Sequence, residues 1–231
     1  MVTSEMSERI RAILDRIASA ARRAGRDPSE VTLLAVSKTK PLETVVEAAR
    51  TGLVAHFGEN HVQEGQVKIP ASPPELPVRW HLIGHLQRNK ARKAAQLFDV
   101  IESVDSPAIA SALERVCAET GRGLDVLIEV NSSGEGSKTG SPSSEVPTLV
   151  EHVRAACPHL RLRGLMTIGP LGGDERAVRS AFAATRELRD SLRLGADDLP
   201  VLSMGMSGDF EWAIAEGSTE VRVGTSIFGQ R

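Results

Sequence analysis

Leu33-Leu34-Ala35-Val36-Ser37-Lys38-Thr39-Lys40 is an apolar run of strand character that ends abruptly in a lysine, and a helical pattern opens just after it at Pro41. A lysine at the mouth of a buried strand has low-dielectric surroundings on one side and solvent on the other. Desolvation there favours the free amine over the ammonium, and the free amine is the form that attacks an aldehyde to make a Schiff base. A solvated lysine that merely closes a strand is the competing reading, and for Val36-Ser37-Lys38 in isolation it is the better one. The decision rests on what the chain does on either side.

Before this stretch, Ile10, Ile13, Leu14 and Ile17 recur at helical spacing within residues 7–25, and Gly25 ends that helix. After it, strand-like runs fall at 31–37, 53–57, 78–83, 99–104, 124–130, 162–168, 201–204 and 219–223. Helical patterns separate them at 42–50, 60–68, 88–97, 108–120, 145–156, 175–194 and 209–216. Strands alternating with helices imply parallel βαβ units with right-handed crossovers. About eight such units in roughly 250 residues is the arithmetic of a closed barrel. The expectation is therefore an α/β fold, a single (β/α)8 TIM barrel with an extra N-terminal helix, occupying residues 1–231 as one domain. An open doubly wound sheet is the alternative, because periodicity alone does not show closure.

Composition narrows the function. At 231 residues, 41% hydrophobic and 25% charged, the chain is ordinary for a globular protein with one sizeable core. A formal net charge of −2 gives no reason to expect a nucleic-acid or membrane partner, and no apolar run reaches spanning length. The charged N-terminus does not read as a secretory signal. Cys117 and Cys157 belong to no C-x-x-C pair, so inert, partly buried thiols in a reducing compartment, by default the cytoplasm, are expected. Pro70, Pro73, Pro74 and Pro77 mark a surface connection, and the Gly/Ser-rich stretch 132–144 a long loop.

In such a barrel the chemistry sits at the carboxyl ends of the strands, and phosphate binds near the loops after strands seven and eight. Here strand seven runs into Met204-Gly205-Met206-Ser207-Gly208 and strand eight into Arg222-Val223-Gly224-Thr225-Ser226. Glycines permit close backbone approach, Ser207 and Thr225 offer hydroxyls, and a helix opens near Asp209. Each loop alone reads as a plain turn; two of them at the two expected places, with an amine on strand one, favour a phosphate site. Arg222, between Val221 and Val223, points opposite to them and either salt-bridges at the surface or donates to a ligand ring nitrogen inside the barrel.

Other features carry less. Residues 134–140 imitate a phosphate loop without its Gly-Lys-Ser/Thr ending. His81 and His85 are four apart but lack the helical face a zinc pair needs. Arg88, Lys90, Arg92 and Lys93 read as a solvated helix face.

Five stretches taken together have a specific likeness. They are Leu34 to Pro41, Phe57-Gly58-Glu59-Asn60-His61-Val62-Gln63-Glu64, Trp80 to Lys90, Arg163-Gly164-Leu165-Met166, and Leu202 to Ser207 with Val221 to Gly229. In this order they closely resemble the pyridoxal phosphate homeostasis protein family, whose fold is similar to the N-terminal barrel of alanine racemases. The resemblance implies a barrel carrying pyridoxal phosphate as an internal aldimine on Lys38. It implies that Ser207, Gly224 and Thr225 hold the phosphate, that Arg222 faces the pyridine nitrogen, and that Asn60 and Met204 line the cofactor, with His81 and Met166 as further candidates. His61 stands where the family often has tyrosine, and Lys138 matches a lysine of the family pattern that offers a second amine.

The resemblance also bears on catalysis. An arginine at the ring nitrogen leaves the ring unprotonated and weakens it as an electron sink. Racemisation in the two-domain relatives needs a tyrosine base, and this chain has no tyrosine at all. The expectation is a non-catalytic protein that binds, stores or hands over the cofactor, in transient contact with apo-enzymes, as a monomer. Two enzymatic readings stand beside it: a pyridoxal-phosphate-dependent reaction on an unidentified amine, and a Schiff-base aldolase using Lys38 on a sugar phosphate.

Overall fold

Leu33, Leu34 and Ala35 are buried at the centre of the first strand, β1 (Thr32–Val36), as a strand covered on both faces requires. The computed structural model describes residues 5–132, 139–170, 172–195 and 198–229. The remaining barrel strands are β2 (His56–Glu59), β3 (Arg79–Leu82), β4 (Val100–Val104), β5 (Leu124–Asn131), β6 (Leu160–Thr167), β7 (Val201–Met206) and β8 (Glu220–Val223). All neighbours pair in parallel. β1 pairs with β2 on one edge and with β8 on the other, Leu34 matching His56 and Arg222, and this last pairing closes the ring. The fold is thus the (β/α)8 barrel and not an open sheet. Closure leaves no strand edge exposed within the ring.

The helices α1 (Glu5–Arg23), α2 (Leu42–Arg50), α3 (Val62–Ala71), α4 (Ala91–Leu97), α5 (Pro107–Thr120), α6 (Val146–Ala156), α7 (Glu175–Leu192), α8 (Phe210–Ala215) and α9 (Thr225–Phe228) surround it. Phe57, Phe98, Phe182 and Phe210 are fully buried between this layer and the barrel. The leading helix α1 turns Met6, Ile10, Ile13 and Ile17 inward at i, i+4, i+7 and i+11 and packs on α8 and α9. Arg16 fixes its angle, bonding Glu211 at 3.1 Å with its guanidinium 4.6 Å above the Phe210 ring. No helix among the described residues is long and apolar enough to cross a membrane.

Boundaries differ from the sequence reading where turns intervene. β2 starts at His56 instead of residue 53, because Gly52 takes a left-handed turn (φ +67°) after α2. α3 continues through Pro70, where a proline in the last turn removes only one hydrogen bond. Ser141–Pro142 forms a two-residue bridge beside β5, and α9 is a single turn too short to give a periodic signal.

Candidate functional site

Side chains alternate along β1 and the two residues that follow it. Ser37, fully buried, turns toward the helix layer and donates from Oγ to Glu59 Oε1 at 2.6 Å. Lys38, next in the chain and half-buried, faces the opposite way, into a cavity of ≈ 340 Å³ at the carboxyl ends of the strands. Thr39 then adopts φ +65°, a conformation that costs a β-branched residue free energy. Its N–H donates to Glu64 Oε2 at 2.6 Å. Lys68 of α3, 6% exposed, ties these groups together: Nζ donates to Ser37 O at 2.9 Å, to Glu59 Oε1 at 2.8 Å and to Glu64 Oε2 at 3.3 Å. The turn that carries Lys38 is therefore braced from behind by a buried ion-pair network. Burial dominates at Glu59 and pushes its carboxyl up to about 6 despite Lys68 and Ser37.

Across the cavity, the β7 loop contributes Met206 and Ser207, and the β8 end contributes Arg222, Gly224 and Thr225. At Gly205 (φ +96°) an added Cβ would lie 2.6 Å from Ala213 Cβ and 2.8 Å from Phe210 Cα, so only glycine lets α8 press against this loop. Met206 N–H donates to Asp209 Oδ1, which fixes the loop ahead of α8. Asn60 enters from the β2 end. The loop after β3 lies against it so closely that a Cβ at Gly84 would sit 2.2 Å from Asn60 O.

Arg222 is 4% exposed and belongs to the barrel interior, not the surface. Nη1 donates to Ser203 O at 2.6 Å and Ser203 Oγ at 2.7 Å, and Nη2 donates to Thr167 O at 2.7 Å. Ser203 Oγ in turn donates to Glu102 Oε2 at 2.6 Å, and Glu102 Oε1 lies 2.8 Å from His81 Nδ1. Glu102 is completely buried; His81, Arg222 and Ser203 together hold its carboxyl below the ordinary carboxylate range against the desolvation that opposes them. The Glu102 carboxylate raises the His81 imidazole despite burial. A polar chain thus runs down the barrel axis from the cavity to His81.

Lys38, Asn60, Ser207, Arg222, Gly224 and Thr225 line one cavity. Met204 and Met166 do not; both are fully buried, and Met206, two residues beyond Met204, lines the cavity. His81 lies deeper, on the Glu102 side of the chain just described, and His61 is exposed at the start of α3. Lys138 falls outside the described residues. Sequence reasoning missed Lys68, Glu59, Glu102 and Ser203. The one signal available was the charged residue inside otherwise apolar strands, as at Glu102 in the fully buried β4.

The sequence over residues 9–231 matches the family described as the N-terminal domain of alanine racemase. A pyridoxal phosphate homeostasis protein of Pseudomonas aeruginosa is 47% identical over 99% of this chain and 96% of its own length. One from Homo sapiens is 41% identical over 96% of this chain and 85% of its own. Among solved structures, PipY of Synechococcus elongatus with pyridoxal phosphate bound superimposes with a TM-score of 0.79 at 39% identity, covering 94% of this chain and all of that one. An alanine racemase of Clostridium difficile shares the fold at 14% identity, with a TM-score of 0.72 over 57% of its length. With near-complete coverage at such identities, the chain belongs to the pyridoxal phosphate homeostasis protein family, within the group of alanine racemase N-terminal barrels.

Proposed function

We propose that this protein binds pyridoxal phosphate and serves its intracellular homeostasis, holding and releasing the cofactor without turning over a substrate. The observation that carries the reading is the convergence of an amine, a fixed guanidinium and two glycine-flanked loops on a single cavity. The cavity's volume lies within the usual range for small-molecule sites. The donor set also fits the group. Ser207, Gly224 and Thr225 would hold the phosphate, Arg222 would donate to the pyridine nitrogen, and Lys38 would hold the aldehyde covalently, with Asn60 beside the ring. At Gly224 a Cβ would come within 3.1 Å of Val36 O, so the bare backbone there leaves the cradle open.

Bound in this way, the cofactor supplies a reversible link between its aldehyde and an amine. The residues of this chain then hold it and keep it inactive. The Arg222 guanidinium carries only donors, so beside the ring it would leave the pyridine nitrogen unprotonated as an acceptor and would have no proton to pass on. Its three hydrogen bonds to β6 and β7 stop it from swinging away. No tyrosine exists in the chain to act as a second base. We further propose that the chain works as one domain and as a monomer in the cytoplasm, where free thiols such as Cys117 and Cys157 persist, and that it meets apo-enzymes transiently.

The test is borohydride reduction of the purified yellow protein followed by peptide mass analysis, with amino acid racemase, decarboxylase and transaminase assays alongside. The expected result is the reduced cofactor on Lys38, a colourless Lys38→Ala variant and no sustained turnover. Attachment to a different lysine would overturn the site, and robust turnover of any common amino acid would overturn the homeostasis reading.

A further inference from the structure

At the end of the barrel opposite the cavity, His56 and Glu220 are the first residues of β2 and β8, and His81 stands beside them on β3. His56 Nδ1 and His81 Nε2 are 2.9 Å apart, and one ligand atom from each of His56, His81 and Glu220 lies within 4.8 Å of the other two. Among the described residues, this is the one group of three histidine, cysteine or acidic side chains close enough to share an ion. We propose that His56, His81 and Glu220 form a site for a divalent transition metal of the zinc type.

Three features of the cluster support this. First, the ligand types suit it: two imidazoles and one carboxylate are a recurring zinc set, whereas a magnesium or calcium site would be built from oxygens. Ligands held 2.0–2.1 Å from a tetrahedral ion stand about 3.3 Å from each other. Reaching that spacing asks the two imidazoles to part slightly and the carboxylate to close in.

Second, the outer partner that a metal-binding histidine needs is already in place. Glu102 Oε1 accepts at 2.8 Å from His81 Nδ1, which leaves Nε2 as the ring atom that faces His56 and would take an ion. Such a carboxylate fixes both the tautomer and the ring orientation. Ser203 Oγ holds the other oxygen of Glu102 at 2.6 Å, so Glu102 itself has little freedom.

Third, one carboxylate oxygen of the cluster is unsatisfied as it stands. Glu220 is 5% exposed, and its Oε1 has no hydrogen-bond partner among the described residues. A buried polar atom in that state is costly and calls for an explanation, and a bound cation provides one. Arg79, the first residue of β3, is engaged in an ion pair with Asp125. His56 is half-buried, which gives an ion a way in from solvent at this end of the barrel. Three protein ligands leave a fourth position for water.

None of this depends on how the cavity at the other end is used. The test is therefore made on metal content and affinity, not on colour. Chelator-treated full-length protein is titrated with zinc by calorimetry, then dialysed and analysed for bound metal. The expected result is one zinc per chain, with affinity reduced more than about 100-fold in His56→Ala and in Glu220→Gln, and about 10–100-fold in Glu102→Gln. His56 is at the barrel's edge and Glu220→Gln preserves shape, so circular dichroism and melting show that at least one variant is folded before it is titrated. Absence of stoichiometric zinc binding would overturn the proposal. So would binding that is unchanged in a folded His56→Ala or Glu220→Gln variant, since the ion would then sit elsewhere.

Discussion

Thr39 holds a left-handed backbone conformation next to the lysine that carries the proposed chemistry. Glycine takes that conformation without steric cost, so Thr39→Gly removes strain worth about 1–2 kcal/mol and returns part of it as unfolded-chain entropy. The expected outcome is a protein stabilised by about 1 kcal/mol in urea unfolding, with a Lys38 less firmly directed and a faster loss of bound pyridoxal phosphate on dialysis. Glu59 behind the same turn gives a pH signature. Its folded carboxyl is pushed up to about 6 from an ordinary 4.5, so the folded state binds more protons than the unfolded one between those values. A raised carboxyl contributes stability at low pH that fades as pH climbs through this window, by about 2 kcal/mol for a shift of this size. Unfolding of wild type and Glu59→Gln compared from pH 4 to 7 should show the wild type losing that amount relative to the variant. A wild type that instead gains on the variant as pH rises would mean that the Lys68 ion pair, not burial, governs the group.

At the scale of elements, α1 connects sequence to site through packing. Ile17 is 2% exposed on the face that meets α8, and α8 presses on the Gly205 loop that borders the cavity. Ile17→Ala should cost about 3 kcal/mol by leaving a void, measurable as a lower urea midpoint with an unchanged slope. These elements were largely readable in advance, because the hydrophobic periods of 3.6 and 2 are local properties of the chain. Lys38 could be found from a strand end, and Arg222 could be assigned a direction from the valines on either side of it. Its partners could not. Ser203 and Glu102 are 101 residues apart in sequence yet bonded at 2.6 Å, and Lys68 looks like any charged position on an amphipathic helix until Glu59 is found beneath it. Met204 shows the complementary limit: the family resemblance implied it as a lining residue, but the register between β7 and β8 shifts between Ser203 and Met206, and it is Met206 that lines the cavity.

For the molecule as a whole, ring closure has a consequence that the two thiols can report. Each of β1 to β8 is hydrogen-bonded on both sides, so no strand can peel from an edge and large exposure of the helix layer requires the ring itself to open. Cys117 on α5 and Cys157 at the end of α6 are each 1% exposed. Burial pushes both thiols up, with Glu114 adding to the effect, and Cys157 reaches about 11. Neither is a thiolate at pH 8, and neither is accessible in the folded state, so alkylation must proceed through unfolding. Two equivalents of iodoacetamide should add rapidly in concentrated urea and negligibly in buffer. Because a ligand that binds only the folded state lowers the unfolded fraction in proportion to its excess over Kd, pyridoxal phosphate at 100 Kd should slow labelling of both cysteines about 100-fold. Equal protection at Cys117 and Cys157 would mark the barrel as one cooperative unit. Protection of one thiol without the other would show instead that α5 or α6 detaches locally while the ring stays closed.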